Sequence, residues 1–346
     1  MASLLLCRDA MGIFTEKRPC DIISKQMIKE RSFYMTQTTK EILEKYQVRK
    51  SKKQKTAFIE YVKQIAEDHG YDFTVEKGAF GARNIVIGQP DSAKVLYTAH
   101  YDTCARLPFP NFISPKNFFI YLLYQFLIVG IFFALAFAVT FCAGLLLSFM
   151  PIADEIANLV ISFLPSITCF AFLYLLLSGP ANKHTANDNT SGVTTVLDIM
   201  QALPQDQKGK VAFVLFDLEE AGLFGSSSFA SKHKAVKKNT LVVNFDCVSD
   251  GETMLFALKK TTANYADLLE KAFVSSPDVT VEITKKAFYP SDNASFKGGI
   301  GVAALKKSKR FGVLYMDRIH TKKDVIYREE NIDFLTKGAI NLAQML

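Results

Sequence analysis

Acidic and histidine side chains follow several apolar runs of this chain, at the point where each run ends. His100 and Asp102 follow KVLYTA, Asp188 lies in TANDNTSG, Glu219 and Glu220 end KVAFVLFDLEE, Asp246 follows LVVNF, and His320 follows FGVLYMDRI. Carboxylates and imidazoles at the ends of buried strands are unfavourable unless a positive charge holds them together. Two divalent metal ions that share one carboxylate would supply that charge, and such a pair predicts hydrolase chemistry.

The first members of this set each have an alternative explanation. Residues two apart on an extended strand point to the same side, so Asp102 is placed to accept the second ring N–H of His100 and to fix its tautomer for metal binding. A structural hydrogen-bonded pair would explain the same spacing. Asp188, at a predicted helix start, would either bridge two cations or cap the helix.

The later members are equally ambiguous when each is taken alone. Glu219 and Glu220 can diverge, one towards a metal ion and one towards a water, but a solvated loop would also contain such a pair. Asp246 is either a ligand or a turn former, and His320 is either a ligand or a structural histidine. Taken together, in this order and at strand ends, the residues predict a metal centre.

The alternation of strand-like and helix-like runs predicts the elements that position these residues. Strands are predicted at 71–76, 84–87, 94–99, 211–216, 241–245, 253–258, 279–284, 301–305 and 313–316, and helices at 38–68, 189–202, 224–233, 264–273 and 332–345. This order indicates an α/β fold with a largely parallel sheet that is covered on both faces. In such sheets ligands bind at the carboxyl ends of the strands, where the acids and histidines lie.

Two long apolar segments, 118–150 and 159–178, interrupt the set between Asp102 and Asp188. Neither contains a charged residue, and each exceeds the ~18 apolar residues needed for a candidate membrane span. We therefore predict a transmembrane helical hairpin at 117–178, inserted into one domain made of 35–116 and 179–346. A hairpin buried in the domain core is the alternative, but a domain of this size has no room to enclose it. Residues 1–34 form an extension of unknown order.

Few charges bear on the orientation of the hairpin. The tip PIADEIAN has acids and no basic residue, whereas Arg106, Lys116 and Lys183 flank the spans on the side of the domain. The positive-inside rule then predicts a multi-pass protein of the cell membrane, with two spans and a cytoplasmic domain. The roots of the hairpin, 104–117 and 179–184, must lie beside the metal centre. They would either form a wall of its pocket or serve only as a tether.

Composition excludes some other classes of function. The net charge is +7, and part of it lies in the basic run from Arg49 to Lys55, which we interpret as solvated helix surface in preference to a contact with anionic lipid. No nucleic-acid-binding motif is present, so no nucleic-acid partner is expected. The six cysteines lack CxxC spacing and are expected to be reduced thiols. The amino-terminal sequence lacks the basic region and cleavage site of a secretory signal.

Six motifs together resemble the two-zinc aminopeptidase family, zinc exopeptidases whose relatives include glutamate carboxypeptidase and glutaminyl cyclase. The motifs are TAHYDT, ANDNTSG, FDLEEAGLFGS, NFDCVSDG, YPSDNASF and RIHTKKD, and the resemblance covers residues 38–102 and 182–346. It implies a phosphorylase/hydrolase-like fold, a three-layer α/β sandwich around a mostly parallel mixed sheet. The inserted hairpin departs from the family pattern.

The resemblance also implies roles for individual residues. Asp188 would bridge two Zn²⁺ ions, His100 and Asp246 would complete one site, and Glu220 with His320 would complete the other. Glu219 would be the general base that takes a proton from the attacking water. Asp102 would orient His100, and the Tyr289 hydroxyl would polarise the scissile carbonyl. Manganese or cobalt could replace zinc.

The expected function is that of a membrane-anchored zinc aminopeptidase acting on peptides. A glutaminyl-cyclase-like acyltransferase with a single zinc is one alternative, although the ligands for two metals are all present. A non-catalytic binding protein on the same fold is another, although such proteins usually lose ligands. A carboxypeptidase or dipeptidase specificity in place of the aminopeptidase one is a third. The sequence leaves the residue specificity and the oligomeric state open.

Overall fold

The computed structural model describes residues 35–346, so the predicted extension at 1–34 lies outside the described part of the chain. The strands are β1 (Phe73–Lys77), β2 (Arg83–Ile87), β3 (Val95–His100), β4 (Val211–Phe216), β5 (Leu241–Phe245), β6 (Thr253–Ala257), β7 (Thr280–Thr284), β8 (Gly299–Lys307) and β9 (Leu314–Tyr315). The α-helices are α1 (Gln37–Lys45), α2 (Lys52–Asp68), α3 (Phe118–Leu147), α4 (Asp154–Ser178), α5 (Gly192–Ala202), α6 (Phe224–Lys232), α7 (Lys234–Asn239), α8 (Ala266–Ala272) and α9 (Glu329–Met345).

The strands form one mixed sheet in the order β1-β2-β4-β3-β5-β8-β6-β7, with β9 paired to β8. The four central strands β4, β3, β5 and β8 run parallel. Strand β2 is antiparallel to both of its neighbours, and β6 is antiparallel to β8. The predicted α/β class and the mixed sheet with flanking helices are therefore confirmed, with the parallel strands concentrated at the centre.

The central strands are buried on both faces, which explains their continuous apolar sequences. On one face Tyr97 and Phe213 pack with the helices α1, α2, α5, α8 and α9. On the other face Leu96, Val214 and Phe216 pack with α6 and α7. Successive residues of a strand point to opposite faces, so neighbours such as Leu96 and Tyr97 serve different helix layers. The result is a three-layer arrangement with the carboxyl ends of the central strands at one edge.

The helix predicted over 38–68 is in fact two helices, because the chain between them folds around Arg49. This side chain is 0% exposed, and its guanidinium donates to the carbonyl oxygens of Tyr46 (2.6 Å) and Tyr101 (2.5 Å) and to the hydroxyl of Thr190. The α2 helix then begins at a Ser51 capping box. A planar guanidinium can satisfy several acceptors at once, so the break between the helices fixes the edge of the sheet beside β3.

The interpretation of the basic run as solvated surface is wrong for two of its members. Arg49 is enclosed as described, and Lys55 is buried in an ion pair with Asp217, which directly follows β4. Lys52 and Lys53 are exposed, as predicted. The two buried cations lie behind the carboxyl edge of the sheet, where the acids of the predicted metal centre also lie.

The apolar segments form two long helices, α3 and α4, that pack against each other as a hairpin. Both are long and apolar enough to cross a membrane, and only 6% and 0% of their most apolar windows are buried. The α/β domain therefore does not enclose them, contrary to the buried-hairpin alternative. The second helix begins at Asp154, earlier than predicted, and continues through Pro165.

Replacing Arg49 with Met should lower the free energy of unfolding by about 2–4 kcal/mol, because the carbonyls of Tyr46 and Tyr101 would lose a charged donor. Lys53→Met removes the same charge from an exposed position and should change it by less than about 0.5 kcal/mol. Unfolding of the full-length protein followed by circular dichroism measures both. Equal effects of the two substitutions would contradict the structural role of Arg49.

Candidate metal centre

The predicted site residues meet at the carboxyl ends of the central strands. His100 is the last residue of β3, the pair Glu219 and Glu220 follows β4 after a short turn, and Asp246 directly follows β5. Asp188 lies in the wide turn Ala186–Ser191 that leads into α5. His320 lies in the loop between β9 and α9. Residues more than 200 positions apart in sequence thus converge at one edge of the sheet.

The carboxylate of Asp188 lies between two groups of potential metal ligands. Its Oδ1 is 3.4 Å from His100 Nε2, which is in turn 3.5 Å from Asp246 Oδ1. Its Oδ2 is 2.8 Å from His320 Nε2, which is 3.3 Å from Glu220 Oε2. Each oxygen of one carboxylate therefore faces a different histidine and a different second acid.

These distances suit tetrahedral metal coordination. Ligand atoms at about 2.0–2.2 Å from a zinc ion are roughly 3.3–3.6 Å apart in a tetrahedral site. Three of the four separations at the centre fall in this range. The fourth, between His320 and Asp188, is a hydrogen-bond distance that would have to lengthen when an ion binds.

The charge of the centre also suits cations. Four carboxylates surround two histidines, and the Oε1 atom of Glu220 is buried without a hydrogen-bond partner among residues 35–346. A buried carboxylate oxygen without a donor is unfavourable in a protein interior. A divalent cation at each ligand group would compensate the carboxylate charges. Mixed histidine and carboxylate ligands are typical of zinc.

The pKa values of the ion-free centre follow from burial and from the crowding of acids. Burial raises the pKa of Glu220 to about 8, with the carboxylate of Asp188 adding to the effect. Burial raises the pKa of Glu219 well above its usual range, and Glu220 and Asp246 contribute. Burial alone would lower the pKa of His320, but Glu220 and Asp188 outweigh it and raise it to about 9. Binding of a metal ion must therefore displace protons from the centre.

Asp102 makes different contacts from those that its spacing predicted. The ring Nδ1 of His100 bonds to the backbone carbonyl of Asp102 at 3.1 Å, while the Asp102 carboxylate is 3.6 Å away. That carboxylate instead accepts hydrogen bonds from the backbone N–H groups of Glu219 (3.0 Å) and Glu220 (3.3 Å). The bond from His100 Nδ1 to the Asp102 carbonyl still directs Nε2 of His100 to the centre. The Asp102 carboxylate holds a different segment, the turn that contains Glu219 and Glu220.

Tyr289 and Ser291 reach the centre from the loop before β8. The Tyr289 hydroxyl is buried and donates to the backbone carbonyl of Asp246 at 3.1 Å. Ser291 Oγ lies 3.4 Å from Glu219 Oε1. The phenol therefore lies beside one ligand group, and the serine hydroxyl lies beside the predicted base.

Asp324 supports the centre from behind, a role that the sequence did not predict. Its two carboxylate oxygens accept hydrogen bonds from the backbone N–H groups of Asn187 (2.7 Å) and Asp188 (3.0 Å). Asn189 bonds through its side chain to the carbonyl of Phe245 and to the N–H of Cys247, next to Asp246. These contacts fix the turn of Asp188 relative to β5. The motif RIHTKKD contains Asp324, but nothing in its spacing indicates a backbone partner 136 residues away.

Cys104 is a second residue that sequence reasoning treated only as an ordinary buried thiol. Its sulfur lies within 4.8 Å of the ligand atoms of Glu220 and His320. Cys104 and Cys247, on either side of the centre, are both free thiols. Burial raises the pKa of the Cys104 thiol, and the acids of the centre raise it further.

Comparisons with known proteins agree with this arrangement. Residues 174–343 match the model of peptidase family M28. This segment includes Asp188, Glu219, Glu220, Asp246 and His320. The match confirms the resemblance to the zinc exopeptidases that the motifs predicted, and it indicates a peptidase.

Solved structures share the fold at low sequence identity. The LapA aminopeptidase of Legionella pneumophila superposes with a TM-score of 0.53 at 15% identity, covering 99% of this chain and 76% of that chain. A leucine aminopeptidase precursor from Bacteroides thetaiotaomicron gives 0.51 at 15% identity, covering 88% and 93%. A glutaminyl cyclase from the same organism, bound to N-acetylhistamine, gives 0.51 at 14% identity, covering 88% and 94%. These likenesses establish the α/β fold, which aminopeptidases and cyclases share.

Asp324→Asn should weaken the affinity of the protein for zinc about 10- to 100-fold, because an amide cannot accept both backbone hydrogen bonds that hold Asp188. Competition with a chromogenic chelator measures the affinity. Asp278→Asn, at an exposed position, is the matched control and should bind zinc like the wild type. Wild-type affinity in Asp324→Asn would show that this contact does not support the centre.

Proposed function

From its match to peptidase family M28 and the geometry of its metal centre, we propose that this chain is a membrane-anchored aminopeptidase with two zinc ions. The single observation that carries the proposal is the position of Asp188, whose two oxygens face two separate ligand groups. His100 and Asp246 would hold one ion with it, and Glu220 and His320 would hold the other. When bound, such ions activate water and polarise a carbonyl group.

Glu219 is the proposed general base of the reaction. Glu219 belongs to the centre but not to the two groups that share Asp188, so its carboxylate is available as the base. It would take a proton from the attacking water and deliver it to the leaving amine. Ser291 and the turn held by Asp102 would keep Glu219 in place.

The charges beside the centre favour an amino terminus over a carboxyl terminus of the substrate. The cavity next to Glu220 and His320 is lined by apolar and neutral polar residues, and no Lys or Arg of the described chain is among them. Recognition of a terminal carboxylate usually requires such a cation. The surrounding carboxylates suit a substrate α-ammonium group. This supports aminopeptidase over carboxypeptidase specificity.

Glu219→Gln should lower kcat for an aminoacyl-4-nitroanilide by about 10²- to 10⁴-fold, because the amide cannot accept the proton. The variant should keep about two zinc ions by elemental analysis. Glu220→Gln should lose metal as well as activity, and Glu270→Gln, at an exposed position, should lose neither.

Other results would point to the alternative functions. One zinc ion per wild-type chain, no amide hydrolysis, and cyclisation of an N-terminal glutamine would favour a cyclase like the Bacteroides thetaiotaomicron neighbour. A wild-type protein that binds no metal and has no activity would favour a binding protein on this fold. Full activity in Glu219→Gln would remove Glu219 from the proposed mechanism.

Membrane anchoring is supported by the two long helices. At 30 and 25 residues they extend about 45 Å and 37 Å, longer than the ~30 Å hydrocarbon core of a bilayer. Large apolar side chains are exposed along both, an extent of apolar surface that soluble proteins rarely present. Thr140, Ser162 and Thr168 bond to carbonyls of their own helices, as polar residues in lipid require.

The charges at the ends of the hairpin support a cytoplasmic domain. Lys50 donates to the carbonyl oxygen of Leu177 at 2.8 Å, which adds a cation to Arg106, Lys116 and Lys183 at the domain end. The opposite end has Asp154 and no basic residue nearby. This asymmetry agrees with the positive-inside rule.

A cysteine placed at the tip should react with a membrane-impermeant maleimide in intact cells, and one at the domain end should not. Ile152→Cys and Lys183→Cys, made in a background lacking the native cysteines, form the matched pair. The protein should also stay with the membrane in alkaline carbonate. The opposite labelling would reverse the orientation, and release by carbonate would contradict the anchor.

A further inference from the structure

A cavity of about 220 Å³ joins the metal centre to the hairpin. Glu220 and His320 line it on one side. Tyr124, Gln125 and Ile128 of α3, with Leu176 and Leu177 of α4, line it on the other. Part of its wall is therefore made by the two long apolar helices, which lie outside the sheet and the helix layers that flank it. Gln125 lies about 10 Å along the helix axis from Phe118, the first residue of α3.

Direct contacts fix the hairpin against the metal centre. The two roots pair through a bridge between Ala105 and Ala181. The backbone N–H of Leu107 bonds to the carbonyl of the ligand residue His320 at 2.7 Å. Phe118, at the start of α3, packs edge-on against Phe288, next to Tyr289. A hairpin that served only as a tether would not need these contacts, so the helices are positioned parts of the cavity.

The chemistry of the wall indicates its ligand. Ile128, Leu176 and Leu177 give it an apolar surface beside the ligand residues. An apolar cavity of about 150 Å³ can hold a benzene ring, so this one has room for a leucine or phenylalanine side chain. The amide of Gln125 makes no side-chain hydrogen bond within residues 35–346, unlike Thr140 and Thr168. A polar side chain in a membrane-spanning helix is unfavourable without a hydrogen-bond partner, so the Gln125 amide is available to a ligand in the cavity.

We propose that this cavity binds the N-terminal side chain of the substrate, and that the hairpin thereby selects peptides with a large apolar first residue. The inference rests on the proposed aminopeptidase function. A substrate with its scissile carbonyl at the centre would direct its first side chain between α3 and α4. The Gln125 amide would then bind the polar backbone of the same residue. The inserted helices set the specificity of the enzyme in addition to holding it at the membrane.

The test compares a cavity residue with its neighbour on the same helix. Wild-type protein in detergent should hydrolyse leucyl- and phenylalanyl-4-nitroanilide about 10- to 100-fold better in kcat/KM than the alanyl compound. Ile128→Trp fills the cavity and should abolish most of this preference, because kcat/KM should fall far more for the leucyl and phenylalanyl compounds than for the alanyl compound. Leu127→Trp, on the exposed side of α3, should leave the preference unchanged.

A second pair of variants separates specificity from misfolding. Ile128→Ala enlarges the cavity and should shift preference from leucyl towards phenylalanyl substrate, a gain that a damaged protein would not show. Gln125→Leu should raise KM for all three substrates about tenfold, because the backbone of the first residue loses a hydrogen bond, and should leave kcat and the leucyl-to-alanyl ratio unchanged.

The outcomes distinguish this inference from the function on which it rests. A wild-type protein that hydrolyses none of the three amides overturns the aminopeptidase proposal, and the cavity assignment with it. If the wild type is active but its leucyl-to-alanyl ratio of kcat/KM is unchanged in both Ile128→Trp and Ile128→Ala, only the cavity assignment is overturned. An unchanged KM in Gln125→Leu would overturn the role of the amide.

Discussion

Four carboxylates lie close together at one buried edge of the sheet, and their mutual repulsion is the constraint that the rest of the structure must compensate. Asp188, the pair Glu219 and Glu220, and Asp246 come from three separate segments. Among residues 35–346, two histidines are the only cationic partners in direct contact with these acids. Such a cluster is unfavourable in a protein interior unless cations compensate it. The two oxygens of Asp188 face separate ligand groups, and this arrangement is the basis for the proposed pair of divalent ions.

The surrounding residues hold this edge in position by hydrogen bonds to the backbone. Asp324 holds the turn of Asp188, and Asp102 holds the turn of the two glutamates. Behind them, the Arg49 guanidinium ties the carbonyl of Tyr101 to the start of α2, and Lys55 neutralises Asp217. The candidate ligands are therefore held by charged groups that are themselves paired, whereas one buried oxygen of Glu220 has no hydrogen-bond partner among residues 35–346. That contrast is typical of a site that binds ions.

The α/β fold could be predicted, and the candidate ligand residues could be located, because both depend on patterns within short stretches of sequence. Apolar runs show where strands end, and His100 and Asp246 each lie at the end of such a run, whereas Asp188 lies just before a helix. The partner of a side chain was not predictable, because it lies far away in sequence. Spacing suggested that Asp102 would bond to His100, whereas its carboxylate reaches backbone groups 117 residues away. Arg49 looked solvated for the same reason: its acceptors come from elements that only the fold brings near.

The contacts of the hairpin, like those of Asp102 and Arg49, could not be predicted from the sequence. Its length and composition predict two spans, and the continuity of the sheet requires both ends on one side. Only the structure places Ile128 and Leu176 beside Glu220, because that contact depends on how the roots pair. A segment that the sequence presents as an anchor thus becomes part of the candidate active site.

The most direct test of the account is anomalous X-ray diffraction at the zinc edge from crystals of the zinc-loaded, full-length protein. We expect two peaks, one beside His100 and Asp246 and one beside Glu220 and His320, with the Asp188 carboxylate between them. A single peak, or two peaks that do not share Asp188, would contradict the central claim that this carboxylate organises a two-metal centre.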